Sequence, residues 1–276
     1  MIGAIIGDIV GSRFEWNNHK SKDFDLFTQK CFFTDDSVMS LAVCDALMKY
    51  SRDNDNLSEQ VVSSMQNIGR HYPDCGYGGS FPHWMFSDAP KPYNSYGNGA
   101  AMRVSGCGYV ARNLDEVIQL SRAVSEVTHN HPEGLKGAEA VAVAVFLART
   151  GKSLTEIYDC ITNNYYPLAF TLDGIRETYS FNETCQDTVP QALEAFFEST
   201  GFEDAIRNAI SVGGDSDTLA AITGSVAEAY YGVPVSIREQ ALSFLDERLL
   251  TLLTDFENRY PATKPEVENV LQRTYS

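Results

Sequence analysis

The sequence has few positive charges for its size. Its 276 residues include 21 lysine and arginine side chains against 37 aspartates and glutamates, which gives a formal net charge of −16. Nucleic-acid binding depends on lysine and arginine neutralising phosphates, and no basic run is present, so we expect no direct nucleic-acid contact. An acidic protein can still bind a phosphate-containing ligand where backbone N–H groups or metal ions provide a local positive field.

Long apolar runs and paired cysteines are also missing. The longest strongly apolar run, residues 140–148, is far shorter than the roughly 20 residues that a membrane-spanning helix needs. The start of the chain lacks the basic segment of a secretory signal, and the six cysteines include no C-x-x-C pair. We therefore expect a cytoplasmic protein with reduced, mostly buried thiols and no membrane partner.

Hydrophobic side chains recur with helical spacing along most of the chain, and alternating strand patterns are scarce. Ser153 and Glu156 have the spacing of a capping box, which predicts the start of a helix. The acid Asp187 and the early proline Pro190 predict that another helix begins close to position 190. We predict an all-α fold, with residues 1–276 forming a single compact multi-helical domain.

Two short segments place acids and hydroxyls where helices are predicted to begin. One is Thr34-Asp35-Asp36-Ser37, and the other is Asp215-Ser216-Asp217-Thr218, which follows a pair of glycines. Carboxylate and hydroxyl oxygens suit Mg²⁺, Mn²⁺ or Ca²⁺ and not Zn²⁺, so the two segments together predict a metal site. The alternative is that both segments only cap their helices, since aspartate, serine and threonine are the preferred N-cap residues.

The first fifteen residues contain a regular glycine pattern. Gly3, Gly7 and Gly11 recur every four residues, so on a helix they form one smooth face for close packing. Asp8 lies in the apolar run and is expected to be buried and hydrogen-bonded. Glu15 lies between two aromatic residues, where a raised pKa would suit a general acid or base, although a solvated surface glutamate is the alternative.

Four motifs taken in order resemble the ADP-ribosylglycohydrolase family. That family includes the dinitrogenase-reductase-activating glycohydrolases and the ADP-ribosylarginine and ADP-ribosylserine hydrolases. The motifs follow family order from residue 3 to about residue 232, so the resemblance covers most of the chain. They are Gly3-Ala-Ile-Ile-Gly7-Asp8-x-x-Gly11-x-x-x-Glu15, Phe33-Thr-Asp-Asp-Ser37, Gly97-Asn98-Gly99-Ala100-Ala101-Met102-Arg103 and Gly213-Gly214-Asp215-Ser216-Asp217-Thr218.

The resemblance implies an all-α fold around a centre of two Mg²⁺ ions, or Mn²⁺ ions. It also implies that Glu15, Asp36 and Asp215 take part in catalysis. The metal ligands that it implies are Thr34, Asp35, Asp36, Asp215, Asp217 and Thr218.

The family binds ADP-ribose, and the resemblance implies a matching loop in this chain. The implied substrate-binding residues of the loop are Ser95, Tyr96, Gly97, Asn98 and Gly99. A glycine-rich loop that opens a helix offers backbone N–H groups to phosphate oxygens. Tyr96 could stack on adenine. His129 and His131 match a segment near the phosphates, and either could donate a hydrogen bond there.

The implied activity is metal-dependent hydrolysis of the glycosidic bond at C1 of the distal ribose, with arginine as the favoured attachment. The partner is then an ADP-ribosylated protein or a small molecule that contains ADP-ribose. Three alternatives stay open: hydrolysis of an O-linked serine or phosphate ester, an inactive ADP-ribose-binding module, and an aspartyl-phosphate phosphatase. The last needs a buried strand directly before Asp215 in an α/β fold.

Overall fold

The computed structural model describes residues 1–52 and 56–262, and it confirms the predicted all-α fold. Among these residues the one β-type pairing is an isolated bridge between Gly97 and Thr184. The last fourteen residues of the predicted domain lie outside the described residues. The fifteen helices are α1 (Ile2–Gly11), α2 (Asp35–Lys49), α3 (Leu57–Gly69), α4 (Phe81–Phe86), α5 (Gly99–Met102), α6 (Ser105–Val110), α7 (Leu114–Ser125), α8 (Pro132–Arg149), α9 (Leu154–Asn164), α10 (Leu172–Ile175), α11 (Cys185–Phe197), α12 (Phe202–Ser211), α13 (Ser216–Tyr231), α14 (Val235–Leu242) and α15 (Glu247–Arg259).

Helices α1 and α13 pack against each other at the centre of the molecule. The glycine face predicted on α1 is the contact surface, because a Cβ atom on Gly7 would lie 2.0 Å from the Ala220 carbonyl oxygen. A Cβ on Gly3 would meet the Gly224 carbonyl oxygen at 2.3 Å. Such distances are far inside van der Waals contact, so only glycine allows the two helix backbones to approach this closely.

Helix α8 is the longest helix of the described residues, with 18 residues, and it contains the longest strongly apolar run of the sequence. Its alanine- and valine-rich stretch, residues 140–146, is buried throughout. It packs between α7, α6, α11 and α13. Neither α8 nor any other helix of the described residues is both long and apolar enough to cross a membrane.

The start of α11 differs from the prediction. The helix begins at Cys185, and Pro190 lies inside it, not at its first turn. Proline cannot donate the backbone hydrogen bond expected at that position. The first turn is instead held from outside, since the Cys185 N–H donates to the Tyr96 carbonyl at 2.9 Å. The capping box of α9, by contrast, is confirmed in both directions between Ser153 and Glu156.

Candidate active site

A cavity of about 390 Å³ opens where α1, α2 and α13 meet the loop before α5. Ligand sites of this kind fall in the range of about 300–1,000 Å³. The cavity collects nearly all of the residues singled out from the sequence. Its lining includes Glu15, Thr34, Asp35, Asp36, Ser95, Tyr96, Gly97, Asn98, Gly99, His129, Asp215, Asp217 and Thr218, with Tyr93, Arg103 and Glu183 among the others.

The two acidic segments, far apart in the sequence, face each other across the cavity. The Thr218 hydroxyl donates to Asp36 Oδ2 at 3.0 Å, which joins the start of α13 to the start of α2. One side-chain oxygen from each of Glu15, Asp215 and Asp217 lies within 4.8 Å of the others. Glu15 is therefore a potential ligand in its own right, beyond the acid–base role predicted for it.

The carboxylates of this cluster repel one another. Burial, followed by the negative charge of Asp217 and Asp8, raises the pKa of Asp35 and of Asp36 well above the usual value. Burial and the neighbouring Asp215 raise the pKa of Asp217 in the same direction. Among the described residues, no lysine or arginine forms an ion pair with any member of the cluster.

The donor set of the cluster fits a divalent cation. Asp36 Oδ1 is buried without a hydrogen-bond partner, and such an orphaned oxygen is costly unless something positive meets it. The Asp215 side chain does not cap α13, so helix capping alone does not explain it. Thr34 does cap α2, by accepting from the Asp36 N–H. The cluster thus has hard oxygen ligands with uncompensated charge, the combination that Mg²⁺ and Mn²⁺ satisfy.

Asp8 lies directly behind the first acidic segment and holds it in place. Its carboxylate accepts from the Thr34 N–H at 2.9 Å, the Thr34 hydroxyl at 2.7 Å and the Ser37 N–H at 3.1 Å. The Ser37 hydroxyl donates to it as well. Burial outweighs these hydrogen bonds and raises the pKa of Asp8 to about 6. The expected buried, hydrogen-bonded role of Asp8 is confirmed.

The turn before Asp215 has a conformation that glycine favours. Gly213 and Gly214 have φ values of +71° and +78°. Asn18 clamps this turn, because its amide accepts from the Gly214 N–H at 2.7 Å and donates to the Gly214 carbonyl at 2.9 Å. On the other side of Asp215, Asn98 Nδ2 donates to Oδ2 of its carboxylate at 2.7 Å. Asp215 is thus oriented from both sides.

The glycine-rich loop forms the other end of the cavity. Much of its backbone is already engaged, because the Gly97 N–H donates to Ser95 Oγ at 3.2 Å and the Asn98 N–H donates to the Glu183 carbonyl at 2.7 Å. Helix α5, which follows the loop, has four residues, so little helix dipole supports an anion here. Tyr96 is 46 % exposed at the rim of the loop.

The structure shows which of the two candidate histidines lies in the cavity, a choice that the sequence left open. His129 is buried and lines the cavity, close to Gly97 and Gly99. His131 is not among the lining residues; its ring caps α8 by accepting from the Glu133 N–H at 3.1 Å, and it packs against the ring of Tyr96.

Glu15 stands at the mouth of the cavity. Its side chain is half-buried, and burial together with the negative charge of Asp217, Asp8 and Glu183 raises its pKa to about 7. The neighbouring Trp16 is exposed and stacks on Phe181, with ring centroids 4.8 Å apart. The mouth is therefore both acidic and aromatic.

Comparison with known proteins identifies the family to which this geometry belongs. A family model described as ADP-ribosylglycohydrolase matches residues 1–265. The chain belongs to the ADP-ribosylglycohydrolase family. Members of this family are hydrolases of glycosidic bonds and depend on metal, and the acidic cluster described above could bind one.

The relatives of this ADP-ribosylglycohydrolase have low sequence identity to it, but the alignments cover most of each chain. The ADP-ribosylhydrolase ARH3 of Xenopus tropicalis is 23 % identical, over 89 % of this chain and 91 % of its own. The ADP-ribosylarginine hydrolase Tri1 of Pseudomonas putida is 25 % identical, over 84 % of this chain and 70 % of its own. A solved structure described as an ADP-ribosylglycohydrolase-related protein complex shares the fold, with a TM-score of 0.66, 21 % identity and coverage of 92 % and 95 % of the two chains.

The fold also excludes the phosphatase alternative. An aspartyl-phosphate phosphatase would need a strand before Asp215, and helix α12 precedes it. The sequence alone assigned no role to Arg103 or to Glu183, although both line the cavity of this ADP-ribosylglycohydrolase. Arg103 follows directly from the Gly97 motif, and a charged residue inside an otherwise small and apolar stretch was the signal available.

Proposed function

We propose that this chain is a metal-dependent ADP-ribosylhydrolase that cleaves the glycosidic bond at C1 of the distal ribose and releases ADP-ribose. One observation carries the proposal: a cluster of carboxylates that forms no ion pair within the described part of the chain shares a cavity with a glycine-rich loop and the buried guanidinium of Arg103. The five carboxylates of the cluster are those of Glu15, Asp35, Asp36, Asp215 and Asp217. A ligand with a phosphate at the loop end and sugar hydroxyls at the acidic end would match both ends of such a cavity.

Two Mg²⁺ ions, or Mn²⁺ ions, are the cofactor that we propose for the acidic end. The proposed ligands are Thr34, Asp35, Asp36, Asp215, Asp217 and Thr218. Two divalent ions offset the charge of the four ligand carboxylates, which the described part of the chain leaves without a counter-charge. When bound, ions of this kind polarise substrate oxygens and lower the pKa of water.

The acids supply the remaining chemistry. With a pKa of about 7, Glu15 can both hold and release a proton near neutral pH, so we assign to it proton transfer between water and the leaving side chain. Hydrolysis adds water across the glycosidic bond, with OH going to C1 and H to the leaving atom. Positive charge that develops on the ribose in the transition state lies close to Asp36 and Asp215, and their negative charge stabilises it.

The glycine-rich loop is the proposed site for the diphosphate and the adjoining ribose. Ser95, Gly97 and Gly99 line it, and His129 faces it with a polar ring. The exposed ring of Tyr96 at the rim is the proposed platform for adenine. We assign His131 to helix capping and not to the ligand, because it does not line the cavity.

We favour an arginine side chain of a modified protein as the group to which the ADP-ribose is attached. The mouth combines the carboxylates of Glu15 and Glu183 with the exposed ring of Trp16, which stacks on the partly buried Phe181. A guanidinium pairs with carboxylates and stacks on aromatic faces, whereas a serine side chain gains neither contact. The similarity to a relative described as an ADP-ribosylarginine hydrolase supports the same choice.

We also propose that the enzyme works in the cytoplasm. All six cysteines are unpaired, although none is needed by the proposed chemistry. Free thiols persist in a reducing compartment.

Release of free ADP-ribose from arginine-, serine- and aspartate-linked substrates, in Mg²⁺, in Mn²⁺ and in EDTA, tests this function. We expect release from the arginine-linked substrate with either metal and none in EDTA. Equal release in EDTA would refute metal dependence, and release from the serine-linked substrate alone would replace arginine by an O-linked attachment. Binding of ADP-ribose without release from any substrate would identify an inactive binding module.

A further inference from the structure

Arg103 is a fully buried guanidinium that makes no direct contact with a carboxylate among the described residues, although the charge of Asp35 acts on it from a distance. It is 1 % exposed, and its Nε has no hydrogen-bond partner. None of the ion pairs among the described residues includes it. Burial lowers its pKa to about 10, so it is still charged at neutral pH. An unpaired buried charge is strongly unfavourable unless a ligand completes its surroundings.

The polar contacts of Arg103 lead to His129 through Thr128. Arg103 Nη2 donates to Thr128 Oγ1 at 2.5 Å, and Thr128 Oγ1 lies 2.7 Å from His129 Nδ1. The guanidinium can only donate, so the Thr128 oxygen accepts from it and its single hydrogen is available to Nδ1. The other candidate acceptor for that hydrogen, the Ser125 carbonyl, is 3.4 Å away.

This arrangement determines where the proton of His129 resides. Nδ1 faces the Thr128 hydroxyl and, at 3.4 Å, the donor-only Nη2 of Arg103. The shorter Thr128–His129 contact and the donor-only guanidinium favour Nδ1 as an acceptor, so we assign the ring proton to Nε2. Burial, followed by the charge of Arg103, lowers the pKa of His129 well below its usual value, so the ring is neutral.

The Nε2–H group points toward the glycine-rich loop. A Cβ added to Gly97 or to Gly99 would lie 3.5 Å from Nε2 in either case. The N–H groups of Gly97 and Asn98 are already used inside the protein. His129 thus offers a side-chain donor at a place where these two backbone donors are not available.

We propose that Arg103 and Thr128 are positioning residues that hold His129 as a neutral Nε2–H donor to a phosphate oxygen of the ligand at Gly97–Gly99. The buried guanidinium adds the positive field that favours the anion. The inference rests on the proposed function, since the phosphate is that of ADP-ribose. Arg103, Thr128 and His129 are called the relay below.

Thr128→Val is the variant that interrupts the relay. Valine has nearly the shape of threonine, and Thr128 is fully buried, so the change removes the hydroxyl with little change in packing. Thr128→Ser restores the hydroxyl. Thr223→Val is the matched control, because Thr223 is equally buried and hydrogen-bonded but does not line the cavity.

Two measurements are made on each protein: ADP-ribose affinity by calorimetry in Mg²⁺, and the His129 tautomer by ¹⁵N NMR of histidine-labelled protein without ligand. We expect the Nε2–H tautomer in the wild type and a mixture of tautomers in Thr128→Val, with affinity about tenfold weaker, as loss of one hydrogen bond to a charged group predicts. The Michaelis constant should rise by the same factor while kcat changes little. Thr128→Ser and Thr223→Val should bind as the wild type does.

An Nδ1–H tautomer in the wild type would overturn the relay, and so would unchanged affinity and unchanged tautomer in Thr128→Val. Failure of the wild type to bind ADP-ribose would refute the proposed function instead. The ligand-free tautomer measurement separates the two results, because it reports on the relay whether or not ADP-ribose binds.

Discussion

At one end of the cavity lie five carboxylates and at the other lies Arg103, and within the described residues neither end has an ion-pair partner. Burial, followed by the repulsion between neighbouring carboxylates, raises the pKa values of Asp36 and Asp217 at the acidic end. The basic end is a single buried guanidinium. Each end lacks the charge that the other carries, yet they do not neutralise each other by direct contact. This difference supports the proposal that external charges complete the site, with cations at the acids and an anion at Arg103.

The largest effect should follow from removing one acid. Asp36→Asn and Asp215→Asn each take away a proposed metal ligand and should lower kcat about 10³-fold, because several kcal/mol of transition-state stabilisation are lost. Asp115→Asn is the matched control, since Asp115 is an exposed acid on α7, outside the cavity lining. Steady-state ADP-ribose release measures the effect, and wild-type rates in Asp215→Asn would contradict the assignment.

Asn98 lies on the glycine-rich loop and contacts the acidic cluster, so it connects the two ends of the cavity. Its replacement should have the second largest effect on kcat. Its backbone belongs to the loop, whereas its side chain holds Asp215 at 2.7 Å. Asn98→Ala should lower kcat by about 10–100-fold, the range seen when the group that orients a metal ligand is lost. Asn163→Ala, at an exposed position on α9, should behave as the wild type. A rate unchanged in Asn98→Ala would show that Asp215 needs no support from the loop.

Removal of metal by a chelator should affect two ligands differently, because one is proposed to reach both ends of the cavity and the other only the loop end. We expect EDTA to weaken ADP-ribose binding about tenfold, since the ribose hydroxyls lose their proposed partners at the acidic end. Inorganic pyrophosphate reaches only the loop and Arg103, and its affinity should change much less. Calorimetry with both ligands measures the contrast. Equal losses for the two ligands would mean that the ends do not act separately.

The smallest effect should be on stability as a function of pH. Without metal, the folded protein has a pKa of about 6 at Asp8 and at Asp215, raised from 3.8 chiefly by burial. A raised carboxyl pKa makes the folded state bind protons that the unfolded state does not, so stability increases as the pH falls from 7 toward 5. We expect Tm in EDTA to rise by several degrees over this range, at roughly 2–4 °C per kcal/mol.

Magnesium provides the comparison for that experiment. Bound metal favours the ionised carboxylates, so the rise in Tm on acidification should shrink. Glu194 does not line the cavity, but burial and Glu198 raise its pKa to about 7, and it contributes in both conditions. Glu194→Gln removes that contribution. If Tm depended on pH in the same way in EDTA and in Mg²⁺, the acids of the cavity would not be the source of the pH-dependent stability.

Much of this site could be predicted because it depends on local sequence. The glycine face of α1 and the acidic starts of α2 and α13 follow from spacing and from residue type. The tie between Asn98 and Asp215 spans 117 positions, and nothing in the local sequence of either residue indicates it. The choice between His129 and His131 is similar, since one is a good cap for α8 and only tertiary structure shows which ring faces the cavity.

The glycine face of α1 also has a consequence for how the chain can vary. The last of its glycines, Gly11, contacts the second of the two acidic segments, because a Cβ there would lie 2.5 Å from the Cα of Asp217. The close approach of the two helices at this point therefore positions the backbone of Asp217 directly against α1. A methyl group at Gly11 would therefore displace Asp217 as well as push the two helices apart. These three positions should tolerate no side chain in a saturation library, even one selected only for retained metal affinity.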